Sequence, residues 1–492
     1  MDRAIESFQI RLIKQMQFLS QKNTVYFARL FIPGLLLGSL ITGCSNLPQP
    51  AGISPTISVT SAAEISINTP LENPATPIPS ATIPVELSSL KGSEIKIIHP
   101  WSGESGAVVR DLIFQFNRDN IWGIHVEEVV GGSTSEAART YIESMQTSDR
   151  LNILVIPTEY LVGWNVSGKV IDLAPFIANS EWGIPKKERE DFLPQTWTAN
   201  TNGNQQIGIP AQINLQFLVY NRTWAKELGF STDPQTQAEF IKQVCVAAHA
   251  NNFDNQKEND GTGGWIINSS SQTILSWINA FGGSKAWASD SQIAINQAET
   301  GEAFTYLRNL FMQGCAWNSR VASPFTYFSN RQALAFSATL PDLLELEETL
   351  AFTKNTEEWG IFPYPGETKP SPVMMTGLAY GISKTSPTNE LASWLFLRWM
   401  MLPRHQARLA EASGSIPAAR SAIDLMKTFA ETHTWWKTAV NLVPEAQMLP
   451  PSAAWRQGRL ALEDGFWQML QPTPMPIPTL LEKIDETIRS LP

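Results

Sequence analysis

Cysteine is nearly absent from this chain, with three in 492 residues. Histidine is scarce too, with five, and none has the spacing of a metal or nucleophile motif. A structural zinc site takes four ligands, and these residues do not supply a set. The chain also lacks a Gly-x-Ser-x-Gly elbow, a Walker phosphate loop and a His-Glu-x-x-His helix. No catalytic residue, metal or cofactor is expected on these grounds. Two carboxylates of a glycosidase can lie far apart in a chain, so motif absence leaves that chemistry open. Basic residues are outnumbered: 36 Lys and Arg stand against 46 Asp and Glu, a formal net charge of −10. Phosphate backbones are held by clustered positive charge, so a nucleic-acid partner is not expected. Long hydrophobic runs are missing as well, since nothing approaches the roughly 20 residues that cross a bilayer as a helix.

What is present starts at the N-terminus. Arg11, Lys14, Lys22 and Arg29 precede an apolar run from Leu30 to Ile41, the length of a signal-peptide core. Leu40-Ile41-Thr42-Gly43-Cys44 follows, and small residues before a cysteine at this place look like a bacterial lipobox. Residues 1–43 are therefore read as a signal peptide, with Cys44 lipidated as the mature N-terminus. An ordinary leader or a membrane anchor with an incidental cysteine is the alternative. Residues 44–92 are rich in Pro, Ser and Thr and poor in large apolar side chains. Such a segment buries too little surface to offset its ordering entropy, so it reads as a flexible stalk. The product would be extracytoplasmic, held to a membrane by its lipid. In that oxidising setting the remaining pair, Cys245 and Cys315, reads as a disulfide, with two free buried thiols as the alternative.

Beyond the stalk the pattern alternates. Glu94–His99 is a strand-like run, Val109, Leu112, Ile113 and Phe116 form a helical stripe, and Ile124–Val130 is again extended. A second stripe at Ala138, Tyr141, Ile142 and Met145 leads to the apolar run Leu151–Ile156. Strand, helix, strand, helix, strand marks a parallel α/β sheet, whose ligand sites lie at the carboxyl ends of its strands. Ile207–Asn221 is too long and apolar for a surface loop and reads as an extended crossing between lobes. Helices are expected over Gln237–Ala250, Ser271–Phe281, Glu302–Met312 and Glu390–Met401, and strands over Ala333–Ser337, Gly360–Tyr364 and Val373–Ser383. Pro363–Pro372 reads as a second connection between lobes.

Seventeen tryptophans are the other conspicuous feature. Several fall at expected strand ends or helix starts, among them Trp101, Trp265 and Trp455. Indole faces stack on the C–H faces of sugar rings, although core packing is the commoner use of a tryptophan. Trp394 and Trp399 lie in a helical apolar stripe and are assigned to the core.

Several stretches resemble the family 1 extracellular solute-binding proteins, the sugar-binding components of ABC transporters. They are Val170–Ile177, Ile207–Asn214 leading to Val219–Arg222, Gly261–Trp265, Phe336–Asp342 and Gly414–Pro417, in that order. The resemblance runs from about Ile95 to the C-terminus. It implies a two-lobed α/β fold of the type II periplasmic-binding-protein class, with a hinge and a central cleft. Residues 93–212 and 368–417 would form lobe 1, and residues 213–367 and 418–492 lobe 2. Implied ligand contacts are Trp101, Glu159, Tyr160, Gln212, Asn214, Trp265, Ser337 and Tyr380. The expected partners are a small sugar, ABC permease subunits and the membrane, with the protein a monomer and not an enzyme. A secreted carbohydrate-active enzyme, or a binder of a polyol, glycerophosphate or peptide, is the competing expectation. Ala338 and Asn214 depart from residues common in the family, glycine and an acid respectively, which leaves the sugar unidentified.

Overall fold

The computed structural model describes residues 85–283, 294–321, 323–449 and 452–491. The leader, Cys44 and the stalk through residue 84 lie outside the described residues. The last stalk residues already belong to the fold, because Leu87–Leu90 form one turn of 3-10 helix and Leu90 is fully buried.

The expected alternation opens the fold. Strand β1 (Glu94–His99) leads to helix α1 (Gly103–Asp119), β2 (His125–Val130), α2 (Thr134–Ser144), β3 (Ile153–Ile156) and α3 (Thr158–Val166). β1 lies between β2 and β3, parallel to both. Successive side chains on a strand face opposite sides, and β1 is buried on both. Ile95 and Ile97 pack with Val109, Leu112 and Phe116 of α1, while Ile98 joins Ala137, Ala138 and Tyr141 of α2.

Strand β4 (Ile209–Asn221) then runs for 13 residues. After it come α4 (Gln237–Asn252), β5 (Gly263–Ile267), α5 (Ser271–Ala280), α6 (Ala298–Met312), β6 (Ala316–Asn318), β7 (Ala333–Thr339) and α7 (Leu340–Thr353). β8 (Trp359–Phe362), β9 (Met374–Ile382), α8 (Pro387–Met400), α9 (Trp455–Met469) and α10 (Ile477–Ser490) complete the main elements. The strand order is β2-β1-β3-β9-β4-β7-β5-β6, with β8 added antiparallel to β4. β9 pairs antiparallel with β3 through Ala379–Ile382 and with β4 through Met374–Tyr380, across an irregularity between Leu378 and Ala379. β4 in turn pairs with β7 through Gln216–Tyr220. Two long antiparallel strands therefore carry the sheet from the first α/β half into the second: the first is the expected crossing over Ile207–Asn221, whereas the second is β9 itself and not the expected Pro363–Pro372, which leads from β8 into it.

The second half has its own core, built from Phe240, Trp265, Trp277, Phe304, Phe466 and Ile484 among others. Its strand β5 has no strand signature in the sequence, because it begins with two glycines. A Cβ on Gly264 would sit 1.9 Å from the Cys315 carbonyl oxygen, so only glycine lets the chain approach β6 this closely. Next to this contact Cys245 of α4 is disulfide-bonded to Cys315, with Cα atoms 4.4 Å apart. Trp394 is a core residue as expected, fully buried, and its Nε1 donates to the Trp182 carbonyl at 2.9 Å.

Candidate functional site

Along β4 the only residues that are not buried are Gln212 and Asn214. Two residues apart on a strand, they share one face, and that face forms the floor of a cavity of about 500 Å³. β9 completes the floor with Met374, Met375, Thr376, Gly377 and Leu378. One wall comes from the first half of the fold: Ser133, Thr134 and Ser135 at the start of α2, and Thr158, Glu159 and Tyr160 at the start of α3. The other comes from the second half: Ser271, Gln272 and Leu275 of α5, and Trp455 and Arg459 of α9. Three of these helix starts, those of α2, α3 and α5, lie where β2, β3 and β5 end, as the parallel strands of an open α/β sheet dictate.

Several polar wall residues are held by their neighbours. Ser133 caps α2 by accepting from the Glu136 N–H at 3.1 Å. Thr158 Oγ1 donates to Asn200 Oδ1 at 2.5 Å. Glu463 accepts from the Ser271 N–H at 2.9 Å and lies 3.8 Å from Arg459 Nη1, one helical turn away, tying α9 to the start of α5. Burial pushes the Glu159 carboxyl above the usual carboxylate range, and the nearby Arg459 charge works against that shift. Tyr160 also meets the opposite wall, where the Arg456 guanidinium lies over its ring.

The cavity thus gathers Glu159, Tyr160, Gln212 and Asn214 of the expected contacts. The other four stand elsewhere. Trp101 is buried behind the floor, 5% exposed, and touches the site through its Nε1, which donates to Gln212 Oε1 at 2.8 Å. It does not line the cavity itself. Tyr380 lies deeper still, its ring centroid 6.3 Å from that of Trp101. Trp265 is a core residue, contrary to expectation. Position 265 falls on the face of β5 covered by α4 and α5, where its ring packs edge-on against Phe240 and Trp277. Ser337 is nearly buried, accepts from Tyr364 Oη at 2.8 Å, and lines a separate cavity of about 330 Å³ with Asn268, Asn318 and Asp342.

Trp455, Arg459, Ser271 and Gln272 were not among the expected contacts. Trp455 carried a signal, since it opens a helix after a proline pair. The others become neighbours of Gln212 only through the fold.

Residues 111–441 match the family described as bacterial extracellular solute-binding protein. The chain belongs to that family. Solved structures extend the match to the fold of this solute-binding protein. UgpB from Mycobacterium tuberculosis, in complex with glycerophosphocholine, is 16% identical with a TM-score of 0.69, covering 81% of this chain and 98% of that one. The cyclic alpha-maltosyl-1,6-maltose binding protein from Arthrobacter globiformis is 16% identical with a TM-score of 0.66, over the same shares. The Thermus thermophilus maltotriose binding protein, bound with maltotriose, is 15% identical with a TM-score of 0.63, covering 80% and 99%. At these identities the likeness speaks for the two-lobed fold alone. No curated protein matches the sequence. Among the described residues, no helix is long and apolar enough to cross a membrane.

Proposed function

We propose that this solute-binding protein takes a small carbohydrate in the cleft between its lobes and delivers it to an ABC importer from the outer side of the membrane, anchored by lipid on Cys44. One observation carries the reading: a cavity of about 500 Å³ whose floor displays a pair of amides beside β9 and whose opposite walls each bring a largely buried aromatic residue, Tyr160 and Trp455. Its volume is that of a small-molecule site, roughly 300–1,000 Å³. Its chemistry suits a sugar, since aromatic surface serves the C–H faces while amides and hydroxyls serve the oxygens. Similar folds named for maltotriose and cyclic maltosyl-maltose support the class of ligand. The lobe division 93–212 with 368–417 against 213–367 with 418–492 belongs to the same proposal, with β4 and β9 as the hinge. So does the monomeric state. Gln212, Asn214, Glu159 and Tyr160 are proposed as ligand contacts, joined by Trp455, Arg459 and Gln272.

A thermal-shift screen of the mature protein against a solute library containing oligosaccharides, polyols, glycerophosphocholine and short peptides tests this. A ligand at about 100 times its Kd stabilises the folded state by about 2.7 kcal/mol, a shift of degrees. Stabilisation by one or a few sugars is expected. A response to peptides or to glycerophosphocholine and to no sugar overturns the carbohydrate assignment.

A further inference from the structure

An amide is ambiguous as a binding group, because one end accepts and the other donates. In this cleft the ambiguity is removed. Gln212 Oε1 faces the Trp101 indole N–H at 2.8 Å, and Asn214 Oδ1 faces the backbone N–H of Leu340 and of Leu215, each at 2.9 Å. Indole and backbone N–H groups can only donate. Each must meet an oxygen, so each amide is turned with its NH2 end away from these donors. Both residues are partly exposed on the one face of β4 that floors the cavity.

We infer that Gln212 and Asn214 meet the solute as a pair of hydrogen-bond donors, and that Trp101 is the positioning residue that sets the polarity of Gln212. Trp101 is itself fixed, 5% exposed and packed between the rings of His99 and Tyr380, with centroids 5.3 and 6.3 Å away. Asn214 receives its polarity from the start of α7, so the hinge strand and the second half of the fold agree on what the floor displays. A solute group with lone pairs, such as a sugar hydroxyl or ring oxygen, a carboxylate or a phosphate, is accepted there. An ammonium group, which has only protons to offer, is refused. This deepens the carbohydrate reading and rests on it for the kind of ligand. Under that reading the sugar oxygens over β4 act as acceptors.

The test uses the full mature chain labelled with 15N at the tryptophan indoles, with the Trp101 signal assigned from its loss in Trp101→Phe. Gln212→Glu keeps an oxygen for the indole, and Gln212→Met keeps the size but offers no acceptor. The Trp101 indole signal is expected to stay in place in Gln212→Glu and to move upfield with faster exchange in Gln212→Met. An unchanged signal in Gln212→Met overturns the inference. The second arm titrates the best solute from the screened library, which includes maltotriose and glycerophosphocholine. Gln212→Glu and Asn214→Asp, which replace the donor end with an acceptor, should each weaken binding roughly 10- to 100-fold. Equal or tighter binding in both overturns the donor assignment. If no library solute binds the wild type, the carbohydrate reading falls, and the indole arm alone decides the orientation of Gln212.

Discussion

Tyr160 at the start of α3 and Arg456 in the first turn of α9 meet across the cleft, the guanidinium carbon 5.6 Å from the ring centroid. The pair joins the two halves of the fold at the mouth of the cavity. A cation–π contact at a partly exposed site contributes about 0.5–1 kcal/mol. Arg456→Ala removes this contact between the two walls and should therefore weaken solute binding roughly 2- to 5-fold. Calorimetric titration checks this, and a thermal melt of the ligand-free protein should change by little.

The disulfide between Cys245 and Cys315 ties α4 to the segment entering β6, across a sequence separation of 70. A loop of that length is associated with about 4 kcal/mol in the chain-entropy model, with measured values often lower. Replacing both cysteines by serine should lower the melting temperature by many degrees and leave affinity at a temperature where the protein stays folded within about 2-fold, since neither residue lines the cleft. Non-reducing mass analysis should recover the linked peptide from wild type.

The proposed lipid attachment at Cys44 is tested separately from binding. Cys44→Ser should lose the lipid-modified, membrane-associated form in fractionation while its soluble product keeps its affinity. Unmodified Cys44 in the mature wild-type protein counts against the anchor.

His99 ends β1 with no exposed surface, and its Nε2 lies 3.3 Å from Glu128 Oε1. Burial lowers its pKa to about 4, from an ordinary value of 6.5. Between these values the unfolded chain binds a proton that the folded protein refuses, so stability is full above pH 6.5 and falls as pH drops toward 4. At about 1.4 kcal/mol per pH unit the loss from this residue has an upper bound of about 3.5 kcal/mol. Glu128, whose carboxyl is pushed up by burial, works in the opposite direction, and Arg110 adds a charge that opposes protonation of His99. Denaturant melts across pH 4–7 should show a steeper acid-side decline for wild type than for His99→Gln. Parallel curves would contradict the assignment.

Much of the fold is legible in the sequence where a single periodicity decides. The β1-to-β3 alternation is an example, and so is β4, whose amides Gln212, Asn214 and Gln216 punctuate an apolar run that ends at Asn221. Gly263–Ile267 is not legible, because the glycines that let β5 approach Cys315 remove the strand signature. Trp265 and Trp455 show the limit for the site. Each is a tryptophan beside a strand end or helix start and each is buried in the core of the second half, and nothing local separates the one enclosed under α4 from the one that also reaches the cleft. Trp101 is a mixed case: its place at the end of β1 points to the site, while its role behind Gln212 depends on a partner 111 residues away. Arg459 and Gln272 become neighbours only when α9 packs against α5.

The most direct test of the account is a calorimetric titration of the solute found by thermal shift into Trp455→Ala and Trp265→Ala beside wild type. If the solute lies in the cleft between the walls, Trp455→Ala weakens binding by roughly 5- to 150-fold, as other buried aromatic anchors do. Trp265→Ala instead lowers the melting temperature, with a cost of about 3–5 kcal/mol, and its folded fraction binds as wild type does. Unchanged affinity in a folded Trp455→Ala protein, with binding lost in folded Trp265→Ala, would place the solute somewhere other than this cleft.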